Sequence, residues 1–287
     1  MKLSIGTAQI GSSYGVANSS KEYSQAAVTA LIQSCRLHEI FMLDTAINYG
    51  ESERKLGLAK IDGFNIITKL PSIPKNTLDV NIWIKTQVLS SLTKLNINSL
   101  YGVLLHDPSQ LLTRYGADII HSLQNLQRDG YVKKIGISVY SPEEIDKLFA
   151  FDTFNIIQAP FNIIDRRLHS SGAMKRLCDH GVEIHARSIF LQGLLAMNPA
   201  QRPEYFLKWS ELFSVWDKWI NANNYNPVEV CMSYIKEFPE INYCVVGIDN
   251  IKQLNNLAKI FFNKTTFNFP EISSQDIDLV NPGNWKI

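Results

Sequence analysis

Eight short apolar runs rich in β-branched residues recur along the chain, at Leu3 to Thr7, Met42 to Asp44, Asn65 to Lys69, Gly102 to His106, Ile135 to Ser138, Asn155 to Ala159, Glu183 to Arg187 and Tyr243 to Gly247. Segments of helical period separate them. Strands that alternate with helices imply a parallel sheet. Stretches such as Ile66-Ile67, Val103-Leu104-Leu105 and Val245-Val246 are continuously apolar, as expected of strands covered on both faces. Over 287 residues the eight units average about 36 residues each, which suits a (β/α)8 TIM barrel: one α/β domain over residues 1–287. A doubly wound sheet competes, but Gly6, Gly11 and Gly15 do not form the GxGxxG turn that such a fold uses for its nucleotide.

Helix ends are readable between the runs. Ser141-Pro142-Glu143-Glu144 carries a cap, a proline at the first helical position and the acidic residue of a capping box, and Asn226-Pro227 repeats the cap and proline. Gly181 closes the helix that holds Met174, Leu177 and Cys178. Two segments exceed the repeat. Ser188 to Asn226 holds an extra helix around Trp209 to Trp219, and a weakly periodic tail runs from Asn263 to Ile287; both are expected on or near the functional face.

Composition removes several classes of function. Lys and Arg total 28 against 27 Asp and Glu, with no block of one sign, so binding nucleic acid by phosphate neutralisation is not expected. No apolar run approaches the roughly 18 residues that span a bilayer, and the first residues lack a signal-peptide pattern, so a soluble cytoplasmic protein is expected. Cys35, Cys178, Cys231 and Cys244 show no CxxC spacing and are expected as reduced core residues; no metal site is expected either.

Reactive groups in such a barrel project from the C-terminal ends of the strands. Asp44, Lys69 and His106 end the second, third and fourth runs, and Tyr49 follows Asp44 in the next loop. Four ionisable groups of different type thus converge on one mouth, where strand packing requires none of them.

Leu43-Asp44-Thr45-Ala46-Ile47-Asn48-Tyr49-Gly50, with Glu51-Ser52-Glu53 and Leu56-Gly57 after it, resembles the first signature of the aldo-keto reductases. Thr68-Lys69 and Leu104-Leu105-His106 fall where that family has its lysine and histidine, and the similarity runs from Gly6-Thr7-Ala8 to Val246-Gly247 with Gln253-Leu254. The resemblance implies carbonyl reduction by hydride transfer from a nicotinamide dinucleotide: Tyr49 is the general acid, Lys69 places a charge beside the phenol, Asp44 holds that lysine, and His106 orients the carbonyl oxygen. It also assigns Gly6, Thr7 and Ala8 to the cofactor site, Ser138 and Gln158 to the carboxamide, and Ser188, Phe190, Leu191, Gln192 and Gly193 to the pyrophosphate. Gly247, Asp249, Asn250 and Gln253 take the adenosine end. The stretches Gly6 to Gly11, Tyr14-Gly15 and Arg187 to Gly193 are similar to a bacterial subgroup associated with surface polysaccharide, which implies a small carbonyl substrate, sugar-derived in one reading.

Three positions depart from the family pattern. Val139 stands where Asn commonly follows the fifth-strand serine. Arg187 replaces the aromatic residue that stacks on nicotinamide; its planar guanidinium can stack too, but it repels an oxidised ring, so it favours reduced cofactor or an anionic substrate, unless a carboxylate pairs it. Asp249 stands where members that bind a 2′-phosphate bring a cation, leaving Lys252 to compensate. The expected cofactor is NADPH over NADH by a margin within about tenfold. The alternatives are a Schiff-base lyase using Lys69 and a non-catalytic redox sensor. The substrate pocket is expected between the Tyr14 region, Asp107 to Tyr115 and the tail with Trp285. Oligomeric state is not legible.

Overall fold

The structure, a computed structural model, describes residues 1–11, 23–148, 153–263 and 265–287. The Tyr14 region lies outside the described residues. All eight expected strands are present: β1 Lys2–Gly6, β2 Met42–Asp44, β3 Asn65–Leu70, β4 Leu100–Leu105, β5 Val132–Ser138, β6 Ile156–Pro160, β7 Glu183–Arg187 and β8 Ile241–Gly247. Each pairs in parallel with the next, and β8 closes on β1 with Gly247 opposite Gly6, so the expected (β/α)8 barrel is formed as a single domain.

The helices are α1 Ala8–Gly11, α2 Gln25–Leu37, α3 Ser52–Leu58, α4 Val80–Leu95, α5 Gly116–Arg128, α6 Pro142–Leu148, α7 Arg167–Ser170, α8 Ala173–Asp179, α9 Ser210–Ala222, α10 Pro227–Lys236, α11 Ile251–Phe262 and α12 Ile277–Val280. Side-chain caps start α2, α4, α10 and α11, since the first N–H groups of a helix lack partners within it. Asp79 accepts from the Ile82 N–H at 2.9 Å and Asn226 from the Val228 N–H at 2.9 Å. At α6 the acidic partner reaches one residue further back than a capping box requires: Glu144 Oε2 accepts the Tyr140 N–H at 3.3 Å, and Arg167 donates to the Tyr140 carbonyl at 3.0 Å.

Period-two alternation decides what faces where. Leu43, Ile66, Val103, Ile157, Ile184 and Val246 point outward and join the large core beneath the helices, whereas Met42, Ile67, Leu104, Ile156 and Tyr243 form a separate cluster inside the barrel. Following each inward series upward leads to Asp44, Lys69, His106, Ser138, Gln158 and Arg187. The parity that fills the barrel thus also delivers the polar residues to its mouth.

The extra helix is α9, and its Trp216, 1% exposed, donates its indole N–H to the Leu195 carbonyl at 3.1 Å. The tail lies against the loops that follow β6 and β7: the Ser274 N–H donates to the Ile164 carbonyl at 2.9 Å, and Trp285 packs edge-on against Phe206 with ring centroids 4.8 Å apart and donates to the Leu279 carbonyl at 3.0 Å. One expectation is corrected, for Cys178 is exposed while the other three cysteines are buried. The buried face of α8 is Ala173, Met174 and Leu177, and Cys178 falls one position beyond that stripe.

A polar cluster sits toward the N-terminal ends of the strands. The Glu183 carboxylate accepts from Lys134 at 2.5 Å and Tyr101 at 2.8 Å, with His185 Nε2 at 3.4 Å. Burial pushes Glu183 up, but the hydrogen bonds from His185, Lys134 and Tyr101 outweigh it and hold the carboxyl at about 2, below its ordinary 4.5. A depressed carboxylate stabilises the fold fully above about pH 4.5, and that contribution is lost as pH falls toward about 2. Glu183→Gln should therefore cost about 2 kcal/mol at pH 7, discounted for the solvent that reaches Lys134. Urea melts of both proteins should show the difference narrowing between pH 4.5 and 2; a gap independent of pH would contradict this account.

Candidate active site

Asp44 and Lys69 are 4% and 2% exposed, and their charges meet directly: Lys69 Nζ donates to Asp44 Oδ1 at 2.6 Å and to the Thr45 carbonyl at 2.9 Å. The second Asp44 oxygen accepts from Gln158 Nε2 at 2.7 Å. Two buried charges are tolerable only when paired and fully hydrogen-bonded, and here both conditions are met.

The loop after β2 carries Tyr49 and is clamped from behind. Thr7 donates its N–H to the Asp44 carbonyl at 2.9 Å and its hydroxyl to the same oxygen at 3.0 Å. Ser52 Oγ donates to Thr7, at 3.1 Å to the carbonyl and 3.0 Å to Oγ1, while the Ser52 N–H reaches the Tyr49 carbonyl at 2.9 Å. Gly11 lies so close that a Cβ there would overlap the Tyr49 carbonyl oxygen. Backbone contact on this side therefore fixes where the phenol stands.

Around the phenol are Lys69, whose Nζ lies 5.3 Å from the ring centroid, and His106, edge-on with centroids 6.2 Å apart. Burial, Asp44 and Tyr140 push the Tyr49 hydroxyl above its ordinary value, and Arg187 opposes them. Lys69 thus stands beside the phenol ring and is paired with Asp44, while Arg187 is a cation that acts downward on the hydroxyl. His106 is held at about 4 by burial first, then by Lys69 and Arg187, and is a neutral imidazole at neutral pH.

Arg187 is held by the Val139 carbonyl at 3.0 Å and the Ser188 hydroxyl at 3.3 Å, with its guanidinium carbon 4.3 Å from the Tyr140 ring centroid. Among the described residues no carboxylate pairs with it. The loop that follows is strained: Ser188, Leu191 and Gln192 have φ of 59°, 47° and 52°, a left-handed region that side chains rarely occupy, and Gly193 has 92°. Leu191, Leu194 and Leu195 anchor it in the core, each at most 1% exposed.

These walls enclose a cavity of about 460 Å³, lined by Gly6, Thr7, Ala8, Asp44, Tyr49, Gln158, Arg187, Ser188, Phe190, Gln192, Gly193, Gly247, Asp249 and Gln253. Its volume falls within the roughly 300–1,000 Å³ usual for ligand sites. Five expected site residues do not line it. Lys69 and His106 stand behind or beside Tyr49, Ser138 is 3% exposed at the end of β5, Leu191 points into the core, and Asn250 caps α11 by accepting the Gln253 N–H at 2.9 Å. Neither Asp107 to Tyr115 nor the tail reaches the cavity.

Sequence reading missed Gln9, Met197, Val228, Asn256 and Leu257 on the wall. Asn256 and Leu257 follow Gln253 by three and four residues, so one helical face carries all three; that spacing is the signal that could have found them. Met197 and Val228 look like core residues in sequence and gave none.

The chain matches the family model described as Aldo/keto reductase family over residues 2–277. A comparison with curated proteins yields no match. Among solved structures, the aldo-keto reductase AKR11C1 of Bacillus halodurans in its holo form is 17% identical, covers 93% of this chain and 88% of its own, and superposes with a TM-score of 0.73. The protein PA4992 of Pseudomonas aeruginosa, also described as an aldo-keto reductase, is 19% identical over 90% of this chain and 88% of its own, with a TM-score of 0.67. At these identities the likeness is one of fold.

Removing one member of the buried pair should be far worse than removing both charges. Lys69→Met should cost about 3–5 kcal/mol in urea melts, and Lys69→Met with Asp44→Asn should recover part of that loss. Equal losses in the single and double variants would mean that the pair is not the energetic unit.

Proposed function

The chain belongs to the aldo-keto reductase family, oxidoreductases that act on small-molecule carbonyls with nicotinamide cofactors, and we propose that it reduces an aldehyde or ketone to an alcohol at the barrel mouth with Tyr49 as the proton donor. The observation that carries this reading is the meeting of a neutral imidazole and a buried Lys69–Asp44 pair around Tyr49, whose phenol lines the cavity. Residues present suit a dinucleotide there. The strained loop from Ser188 to Gly193 supplies a polar wall, and Gln158, whose amide nitrogen is engaged by Asp44, turns a fixed amide toward the cavity.

A reduced nicotinamide dinucleotide, when bound, supplies the hydride that carbonyl reduction requires. The chain's own residues do the rest. His106, neutral because burial and two cations disfavour its charged form, donates a hydrogen bond that positions the carbonyl oxygen. Tyr49 holds its proton at neutral pH and releases it to that oxygen as negative charge develops there; Arg187 eases the release by stabilising phenolate. Lys69 and Asp44 keep the loop and phenol in place. Within the same reading the enzyme works in the cytoplasm on a small molecule, with a sugar-derived carbonyl as the first substrates to try. The lyase reading is disfavoured, since Lys69 Nζ is locked to Asp44 at 2.6 Å and a charged amine is not a nucleophile.

Parallel fluorescence titrations with NADH and NADPH test cofactor binding, and turnover of an aldehyde panel tests the chemistry. Tyr49→Phe should bind dinucleotide as wild type does while losing at least about a hundredfold in reduction rate. Undiminished turnover would remove the phenol from the mechanism. His106→Ala should lower kcat more than dinucleotide affinity. Its fold should also resist acid better, because a histidine held at about 4 instead of 6.5 costs stability as pH falls through that window.

A further inference from the structure

The far wall of the cavity bears on which dinucleotide it accepts. Away from Tyr49 the lining passes from Gly247 at the end of β8 to Asp249 and then to Gln253, Asn256 and Leu257 on α11. Among the described lining residues the only lysine or arginine is Arg187, which acts at the Tyr49 end. Lys252 is exposed and off the wall.

Asp249 is firmly placed. Its N–H is bonded to Gln253 Oε1 at 2.5 Å, and the Tyr23 hydroxyl donates to the neighbouring Ile248 carbonyl at 3.0 Å, so the turn is pinned from two sides. The amino end of α11 attracts anions weakly, but its Gln253 N–H is taken by Asn250 at 2.9 Å, and Asp249 already brings a carboxylate to that end. Burial raises the Asp249 pKa and a hydrogen bond with the Gln253 side chain opposes the rise; a carboxylate with one such donor keeps acceptor capacity for another.

A 2′-phosphate carries about −1.5 to −2 charges at neutral pH and is usually met by Arg or Lys. On this wall it would meet Asp249 and no described cation. A free ribose 2′-hydroxyl would instead present a donor to the same carboxylate, the arrangement by which acidic residues select NAD in other folds. We propose that the cavity is built for NADH, with Asp249 accepting the adenosine ribose hydroxyl and excluding the 2′-phosphate of NADPH. The proposal rests on the reading of the cavity as a dinucleotide site. It reverses the NADPH margin expected from sequence, because Lys252, the compensating cation in that expectation, is not on the wall.

The test is a fluorescence titration of the full chain with NADH and NADPH in parallel, without substrate and at one ionic strength. Wild type should bind NADH at least about tenfold more tightly. Asp249→Arg should invert the order, tightening NADPH and weakening NADH. Asp249→Asn, a milder change, should narrow the gap by relieving repulsion of the phosphate, and thermal shifts with each dinucleotide should follow the same order. Equal or tighter NADPH binding by wild type overturns the proposal, as does an Asp249→Arg variant in which both affinities move by the same factor. If neither dinucleotide binds, the reading of the cavity itself fails and takes the proposal with it, an outcome distinct from wrong selectivity.

Discussion

Two opposite charges held 2.6 Å apart at the tops of neighbouring strands, Asp44 on β2 and Lys69 on β3, set the constraint from which the mouth of the barrel follows. Each desolvated charge alone would cost several kcal/mol, on the order of the net stability of a domain. The pair must therefore stay closed, and closure dictates its surroundings. Gln158 crosses from β6 to satisfy the second carboxylate oxygen, and the Thr45 carbonyl takes another ammonium proton. Thr7 grips the Asp44 carbonyl from β1's side. Four strands are thereby tied at one level, and the loop bearing Tyr49 starts from Asp44, at the centre of these bonds.

Barrel geometry makes such a site inexpensive to position. Strand residues two apart share a face, so the inward series that packs Met42, Ile67, Leu104 and Ile156 continues upward into Asp44, Lys69, His106 and Gln158 without any change of backbone. Left-handed φ gathers in the loop after β7, where three side-chain-bearing residues within five positions adopt it. Buried leucines and the Trp216 indole hold that loop down, so α9, the helix exceeding the barrel repeat, braces a cavity wall. Both segments that exceed the repeat lie at the C-terminal ends of the strands, the tail against Ile164 and Phe206 in the loops after β6 and β7.

What could be read in advance divides along physical lines. Strands were legible because short β-branched apolar runs with polar ends suit a strand buried on both faces and little else, and Asp44, Lys69 and His106 were legible because charges terminating such runs need a reason. Side-chain direction within loops was not legible. Leu191 sits in the cavity stretch yet points into the core, since its left-handed backbone turns the side chain inward, while Met197 and Val228 face the cavity yet look like packing residues. Cys178 shows the same limit on a helix, where one position decides between core and solvent. The pairing of Lys69 with Asp44 was expected from sequence, but the 2.6 Å at which the two charges neutralise each other is a distance that no sequence shows.

That neutralisation leaves the cavity electrically uneven along its length. At the Tyr49 end the net cation is Arg187, stacked on Tyr140 and fixed to a backbone carbonyl; at the α11 end the net charge is the Asp249 carboxylate. On the proposed reading these two residues act on opposite ends of one ligand. A reduced nicotinamide ring is neutral and would tolerate Arg187, whereas the oxidised ring is positive and would be repelled, so on that reading this end favours reduction and loosens the spent cofactor. The proposal has the other end discriminate by what is attached to the ribose. Because Arg187 and Asp249 are carried by β7 and by the turn before α11 respectively, each of these proposed preferences would vary without disturbing the buried pair on which the fold of the mouth depends.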